Sequence, residues 1–238
     1  MPSHDRYLAE VLADSPLGVW PIHHHGSTLF DVSANQRHGA WTATDDAERQ
    51  GPTAALPQCR RIIPGVPGES ASVADAAWMD VATVTAEAWV FVRSITNSGE
   101  VMSRRIPSDS FSAQSWHLSV RTDGLIRMRW LTGSSARDCV GSTVLEFGRW
   151  YHIVGVATNG TSRVYVDGVL DGTASTAGSV NSSARSLCFG RTDNNLASER
   201  FDGHMAWAAM YGAELPAARV SAHYAASFSA PRVRAVAY

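Results

Sequence analysis

At 238 residues and a formal charge of −2, the chain has the length of a single all-β domain, and no basic stripe with interleaved aromatics argues for a nucleic-acid surface. All 20 basic residues are arginine and none is lysine, a bias expected of a high-GC genome because arginine codons are GC-rich. Cys59, Cys139 and Cys188 are odd in number, widely spaced and without a CxxC, which excludes a zinc ribbon or disulfide framework and predicts small buried hydrophobes in a reducing compartment.

In chain order, "DRYLAEVLA" places Tyr7, Leu8, Val11 and Leu12 at helical spacing, and Asp14-Ser15-Pro16 ends the run. Residues 1–16 therefore read as a helical lead-in. They lack the apolar core of a secretory signal, and no run reaches the ~18 apolar residues of a membrane span. Synthesis in a cytosol without membrane insertion is the expectation. From Leu17 to about residue 225 brief apolar or alternating runs are separated by Gly, Asn, Asp, Ser and Pro, the pattern of many short strands packed as two antiparallel sheets. Thr42 to Pro67 is rich in Gly, Pro and polar residues and reads as long connections.

The clearest hairpin is "SWHLSVRTDGLIRMRWL". A two-residue Asp123-Gly124 turn would set Val120 opposite Arg127 and mismatch the whole ladder. A three-residue loop with Gly124 left-handed instead pairs Val120 with Ile126, Leu118 with Met128 and Trp116 with Trp130. The other face then carries His117, Ser119, Arg121, Arg127 and Arg129, which form either a solvated sheet face or a cationic ligand-binding patch. Next, Asn159-Gly160 predicts a type I′ turn, and Asp167-Gly168 turns the chain again. Apolar residues at both parities predict that these strands are covered on both sides. "ELPAARVSAHYAAS" has helical spacing, and residues 226–238 form a basic, Pro-interrupted tail. Short helices near both termini thus flank a sandwich over 17–225.

The string Trp150-Tyr151-His152, followed by Tyr165-Val166-Asp167-Gly168, resembles the laminin-G-like branch of the concanavalin A-like jelly-roll sandwiches. So do "TAEAWVFVRS", "SLCFGRTDN", "FDGHMAWAAMYG" and the opening "FDVSANQRHGAW". The short helix followed by "DSPLGVW" is similar to tail proteins of bacteriophages infecting high-GC actinobacteria. That resemblance implies a non-enzymatic minor tail protein of the virion, a structural or adhesion module meeting other tail subunits or a host cell-wall glycan, and a symmetric homo-oligomer. A carbohydrate-binding lectin is the alternative, and a glycoside hydrolase the less favoured one.

Glycosidases of this fold carry Glu-x-Asp-x-Glu strings, in which one carboxylate attacks and the other protonates. Here none of the eight glutamates has Asp two positions on; Glu199 and Asp202 come nearest. There is also no GxSxG elbow. For ligand binding, Trp41, Trp78, Trp116, Trp130 and Trp207 are the candidate platforms, and the hairpin pairing turns Trp116 and Trp130 inward. His117, Arg121, Arg127, Arg129 and Trp41 make up the candidate ligand set. No cofactor is expected apart from a doubtful calcium. Relatives hold calcium with carboxylates near the first and last strands; Asp31 matches the first, but Ala206 stands where the second would be. In "VWPIHHHGSTLFD", His23 and His25 share one side of a strand and would chelate zinc only with a third ligand such as His38. A polar turn is the other reading of that stretch.

Overall fold

A computed structural model describes residues 3–23, 26–42, 49–62, 70–95 and 98–228. Two antiparallel sheets pack face to face. The first runs Gly18–Trp20, Asp202–Tyr211, Val84–Ser94, Trp150–Ala157, Gly160–Val166 and Val169–Thr176, with Arg60–Ile62 also paired to Asp202–Tyr211. The second runs Ser135–Val140, Ile126–Thr132, Trp116–Val120, Gly99–Ser103, Leu187–Phe189, Ala71–Val73, Gly39–Trp41 and Thr28–Leu29. The segment read as bare connections in fact contains Arg60–Ile62 and a separate ribbon, Gln50–Thr53 with Leu56–Gln58. Short runs there lacked the length for alternation to show.

The first hairpin has the expected register, with Trp116 opposite Trp130, Leu118 opposite Met128 and Val120 opposite Ile126. Arg121 N–H donates to the Leu125 carbonyl at 2.9 Å, and Gly124 has φ +81°, which closes the three-residue loop. All six side chains are buried between the sheets, each contributing roughly 1.5–3 kcal/mol by transfer from water. In the second hairpin Asn159 is not among the positive-φ residues, so its turn is not type I′. Asp167 and Gly168, at φ +50° and +77°, form that turn instead.

A second apolar layer covers the outward face of the first sheet. Helix α1 (Ser3–Ala13) contributes Tyr7 and Val11, and helix α2 (Ala217–Ala226) contributes Val220. They pack with Trp89, Val154, Val156, Tyr165 and Trp207 of the strands beneath. This roof explains the apolar residues at both parities: one face of the sheet meets the other sheet, the opposite face meets helices. Cys59, Cys139 and Cys188 are buried free thiols, and burial pushes Cys139 up to about 11 and Cys188 up to about 12.

The outward face of the second sheet is not simply solvated. His117 and Ser119 are fully buried: Arg105 ties Glu100 to Glu199 of the turn Ala197–Glu199 on this face, and the backbone at Glu100 forms a single parallel β-bridge with that at Arg200.

Candidate ligand-binding site

The residues selected from sequence do not assemble into one surface. Trp41 is buried in the inter-sheet core with the Arg60 guanidinium 3.8 Å from its ring centroid. It offers no open platform. Trp116 and Trp130 are core residues, Trp78 lies under Arg37 at 4.1 Å, and Trp207 sits at a strand bulge with φ +49°, edge-on to Tyr7 at 5.4 Å. Arg121 is half-buried and pairs with Asp123, Arg129 grips Asp138 with two bonds of 2.6 Å, and Arg127 stands 3.9 Å from the same carboxylate.

His117 is closed off from ligand. Its Nδ1 lies 2.5 Å from Glu100 Oε1, and Arg105 joins Glu100, at 2.8 Å, to Glu199. Burial, followed by Arg105, Arg127 and Arg129, holds His117 well below the usual imidazole range. Burial, followed by the hydrogen bond and charge of Glu100, pushes Glu199 up to about 7.

The metal candidates do not converge either. Asp31 Oδ1 accepts from Val19 N–H at 2.9 Å and Ser33 N–H at 2.8 Å; Oδ2 accepts from the Ser33 hydroxyl at 2.9 Å and Arg37 N–H at 2.7 Å. A carboxylate wrapped by four donors fixes a turn and does not fit a calcium ion, which would meet those hydrogens. His38 Nδ1 accepts from Asp31 N–H at 3.0 Å, His23 lies 5.9 Å from the Trp207 ring, and His25 falls outside the described residues. Ala206 is buried beneath the helices. Among the described residues no three His, Cys, Asp or Glu are grouped to hold a metal.

On the outward face of the first sheet, the part beneath the helices holds a buried carboxylate. Glu87 accepts from the Tyr7 hydroxyl at 3.1 Å, the Tyr211 hydroxyl at 2.9 Å, His152 Nε2 at 2.8 Å and His223 Nδ1 at 3.0 Å. His223 Nε2 lies 2.8 Å from Asp14, which Arg219 also binds at 2.9 Å. With a carboxylate at each ring nitrogen, both nitrogens donate and His223 is an imidazolium. Burial alone would lower His223, but Glu87 and Asp14 raise it to about 9. Burial likewise opposes the Glu87 charge, yet His223 and His152 hold that carboxyl well below the usual range.

Beyond the roof the same face is open. Along Val84–Ser94 the outward residues Glu87, Trp89, Phe91 and Arg93 follow the two-residue period. Trp89 is stacked under Tyr224 at 5.8 Å, whereas Phe91 and Arg93 line a cleft of about 740 Å³. Strand register sets Arg61 opposite His204, His204 opposite Phe91 and Phe91 opposite Trp150. The row crosses four strands, three spacings or about 14 Å. The Phe91 ring centroid lies 5.7 Å from that of Trp150 and 5.2 Å from that of His204. Arg49, Gln50, Gly51 and Pro52, from and beside the ribbon, form one wall. Sequence reasoning missed Phe91, Trp150 and His204; the outward parity of Phe91 with Trp89 was the available signal.

The family described as the concanavalin A-like lectin/glucanases superfamily, in its laminin-G form, matches residues 67–221. The chain belongs to this superfamily. Among solved structures it is similar to the binding domain of Paraclostridial Mosquitocidal Protein 1, at 14% identity and TM-score 0.66, over 87% of this chain and 52% of that one. It is also similar to domain 4 of AbnA, a GH43 extracellular arabinanase from Geobacillus stearothermophilus in complex with arabinotriose, at 15% identity and TM-score 0.61, over 85% and 99%. A third is the binding domain of Botulinum Neurotoxin DC in complex with SialylT, at 11% identity and TM-score 0.65, over 90% and 51%. The chain spans about half the length of the two toxin chains. At these identities the likeness is one of fold. No curated protein matches the chain.

Proposed function

We propose that the chain is a non-enzymatic carbohydrate-binding module serving as an adhesion element, a minor tail protein, of a bacteriophage tail. The observation that carries the reading is the row of Phe91, Trp150 and His204 in an open cleft. Half-buried rings on rigid strands present flat apolar faces to the C–H face of a sugar, while Gln50 and the arginines supply donors for hydroxyls. Sandwiches of this fold that carry arabinotriose or SialylT support the ligand class. The non-catalytic reading is supported by Glu100, which shares Arg105 with Glu199 and is wholly buried behind it; two carboxylates that flank a scissile glycosidic bond have to reach the sugar. The tail assignment rests on the opening "DSPLGVW" with its short helix and on the lysine-free composition. Its partners would be neighbouring tail subunits and a host cell-wall glycan.

A glycan array together with pull-down on actinobacterial cell wall tests the reading. Binding is expected, and Trp150→Ala should weaken it about tenfold or more while the variant stays folded, a loss in line with removal of an aromatic anchor. Absence of binding to every glycan and to cell wall would overturn it. Flanking genes that encode neither tail nor lysis proteins would overturn the tail assignment.

A further inference from the structure

Resting on the reading of the cleft as a glycan site, we infer that its ligand is an acidic sugar, a glycan residue bearing a carboxylate or a phosphate. The aromatic row is bracketed by cations. Arg61 continues it beyond His204, and Arg93 lies two residues past Phe91 on the same face, about 7 Å along the strand. Arg49 stands in the adjoining wall, and the described residues lining the cleft include no Asp or Glu.

Arg61 has no ion-pair partner among the described residues, and its Nε is buried without a hydrogen bond. Arg61 lines the cleft with its charge unanswered, and its terminal N–H groups are the ones an anionic ligand would engage. Arg93 is held by one contact, NH1 to Asp202 at 3.3 Å, with both side chains partly exposed. Its remaining N–H groups stay available for the planar, two-pronged recognition that guanidinium gives carboxylate and phosphate. A neutral sugar would stack on Trp150 and leave this charge unanswered. An acidic one engages both features at once.

The test is calorimetric titration of the full chain with matched ligands: oligogalacturonate against its methyl ester, and poly(glycerol phosphate) against a neutral glycan of similar length. The acidic member of at least one pair should bind about tenfold more tightly or better, and which pair responds separates a carboxylate from a phosphate source. The preference should collapse near 1 M salt, where the Debye length is about 3 Å. Arg61→Gln with Arg93→Gln should bring the acidic and neutral ligands within about threefold by weakening the acidic ligand far more than the neutral one; Arg93→Gln alone, at the more exposed position, serves if the double variant fails to fold. Equal binding of both members by the unaltered protein, or a preference surviving the arginine variants, overturns the acidic inference and leaves the glycan reading standing. No binding of either member overturns both.

Discussion

Two buried carboxylate–histidine centres occupy the outward faces of opposite sheets, and their chemistry runs in opposite directions. Glu87 and Glu100 are both fully buried, and each touches an imidazole. Around Glu87 the charges alternate in a line, Glu87 to His223 to Asp14 to Arg219, so each charge stabilises its neighbours; His223 rises to about 9 and Glu87 is held low. Around Glu100 like charges crowd together. Glu199 shares Arg105 with it, while Arg127 and Arg129 add positive charge near His117. Burial is the largest cause of the depressed His117 and of the Glu199 lifted to about 7, and here the neighbouring like charges add to it where around Glu87 opposite charges overcome it. Composition alone does not set the protonation of a buried cluster; the order of signs does.

The comparison is broken most directly at Glu87. Glu87→Gln leaves the His223 imidazolium buried opposite a neutral amide, and denaturant unfolding at pH 7 should show a loss of about 3–5 kcal/mol; a loss under about 1 kcal/mol would mean that alternation contributes little. The sign of the pH dependence follows from the same shifts. Glu87 lies below its ordinary 4.5, so the stability it adds is present above that pH and is lost on acidification through its lower folded value. His223 lies above its ordinary 6.5, so its contribution is complete below 6.5 and is lost as pH rises through about 9.

A smaller effect, opposite in sign to that of Glu87, belongs to Glu199. Its folded value of about 7 exceeds the ordinary 4.5, so the native state binds the extra proton and stability falls as pH rises between those values. The fall should be on the order of 3 kcal/mol. Glu199→Gln keeps a donor toward Glu100 and should flatten the slope between about pH 5 and 8 in chemical melts; an unchanged slope would remove crowding as its cause. The smallest effect is expected at the half-open end of the first centre, where Arg219→Ala should cost about 0.5–1 kcal/mol. A cost above about 2 kcal/mol would show that alternation reaches the surface undiminished.

The inter-sheet face was legible from sequence because each strand reports its own alternation. Trp116, Leu118 and Val120 found their partners through parity and one left-handed glycine, and the string from Trp150 to Gly168 carried the superfamily. What lay hidden was the covering of the outer faces. Whether an outward residue is wet depends on what a distant part of the chain lays over it: Tyr7 and His223 reach Glu87 across 80 and 136 positions. On the other sheet, His117 reads as solvated until Arg105 and its partner Glu199, 94 positions apart, are brought together. For the same reason Phe91 could not be told from Trp89; both face outward, and only the reach of the roof, ending with Tyr224 and Phe228 over Trp89, makes one a cleft residue and the other a core residue.

The roof also bears on the order in which the molecule is built. Asp14 and Arg219 are separated by 205 positions, so the Glu87 centre closes one of the longest loops the chain contains, and such contacts form after nearer ones have restricted the ensemble. The hairpin from Trp116 to Trp130 can pair early, whereas the two helices seal the sheet late. Weakening that seal should therefore act mainly on how fast the protein unfolds and leave its refolding rate nearly unchanged.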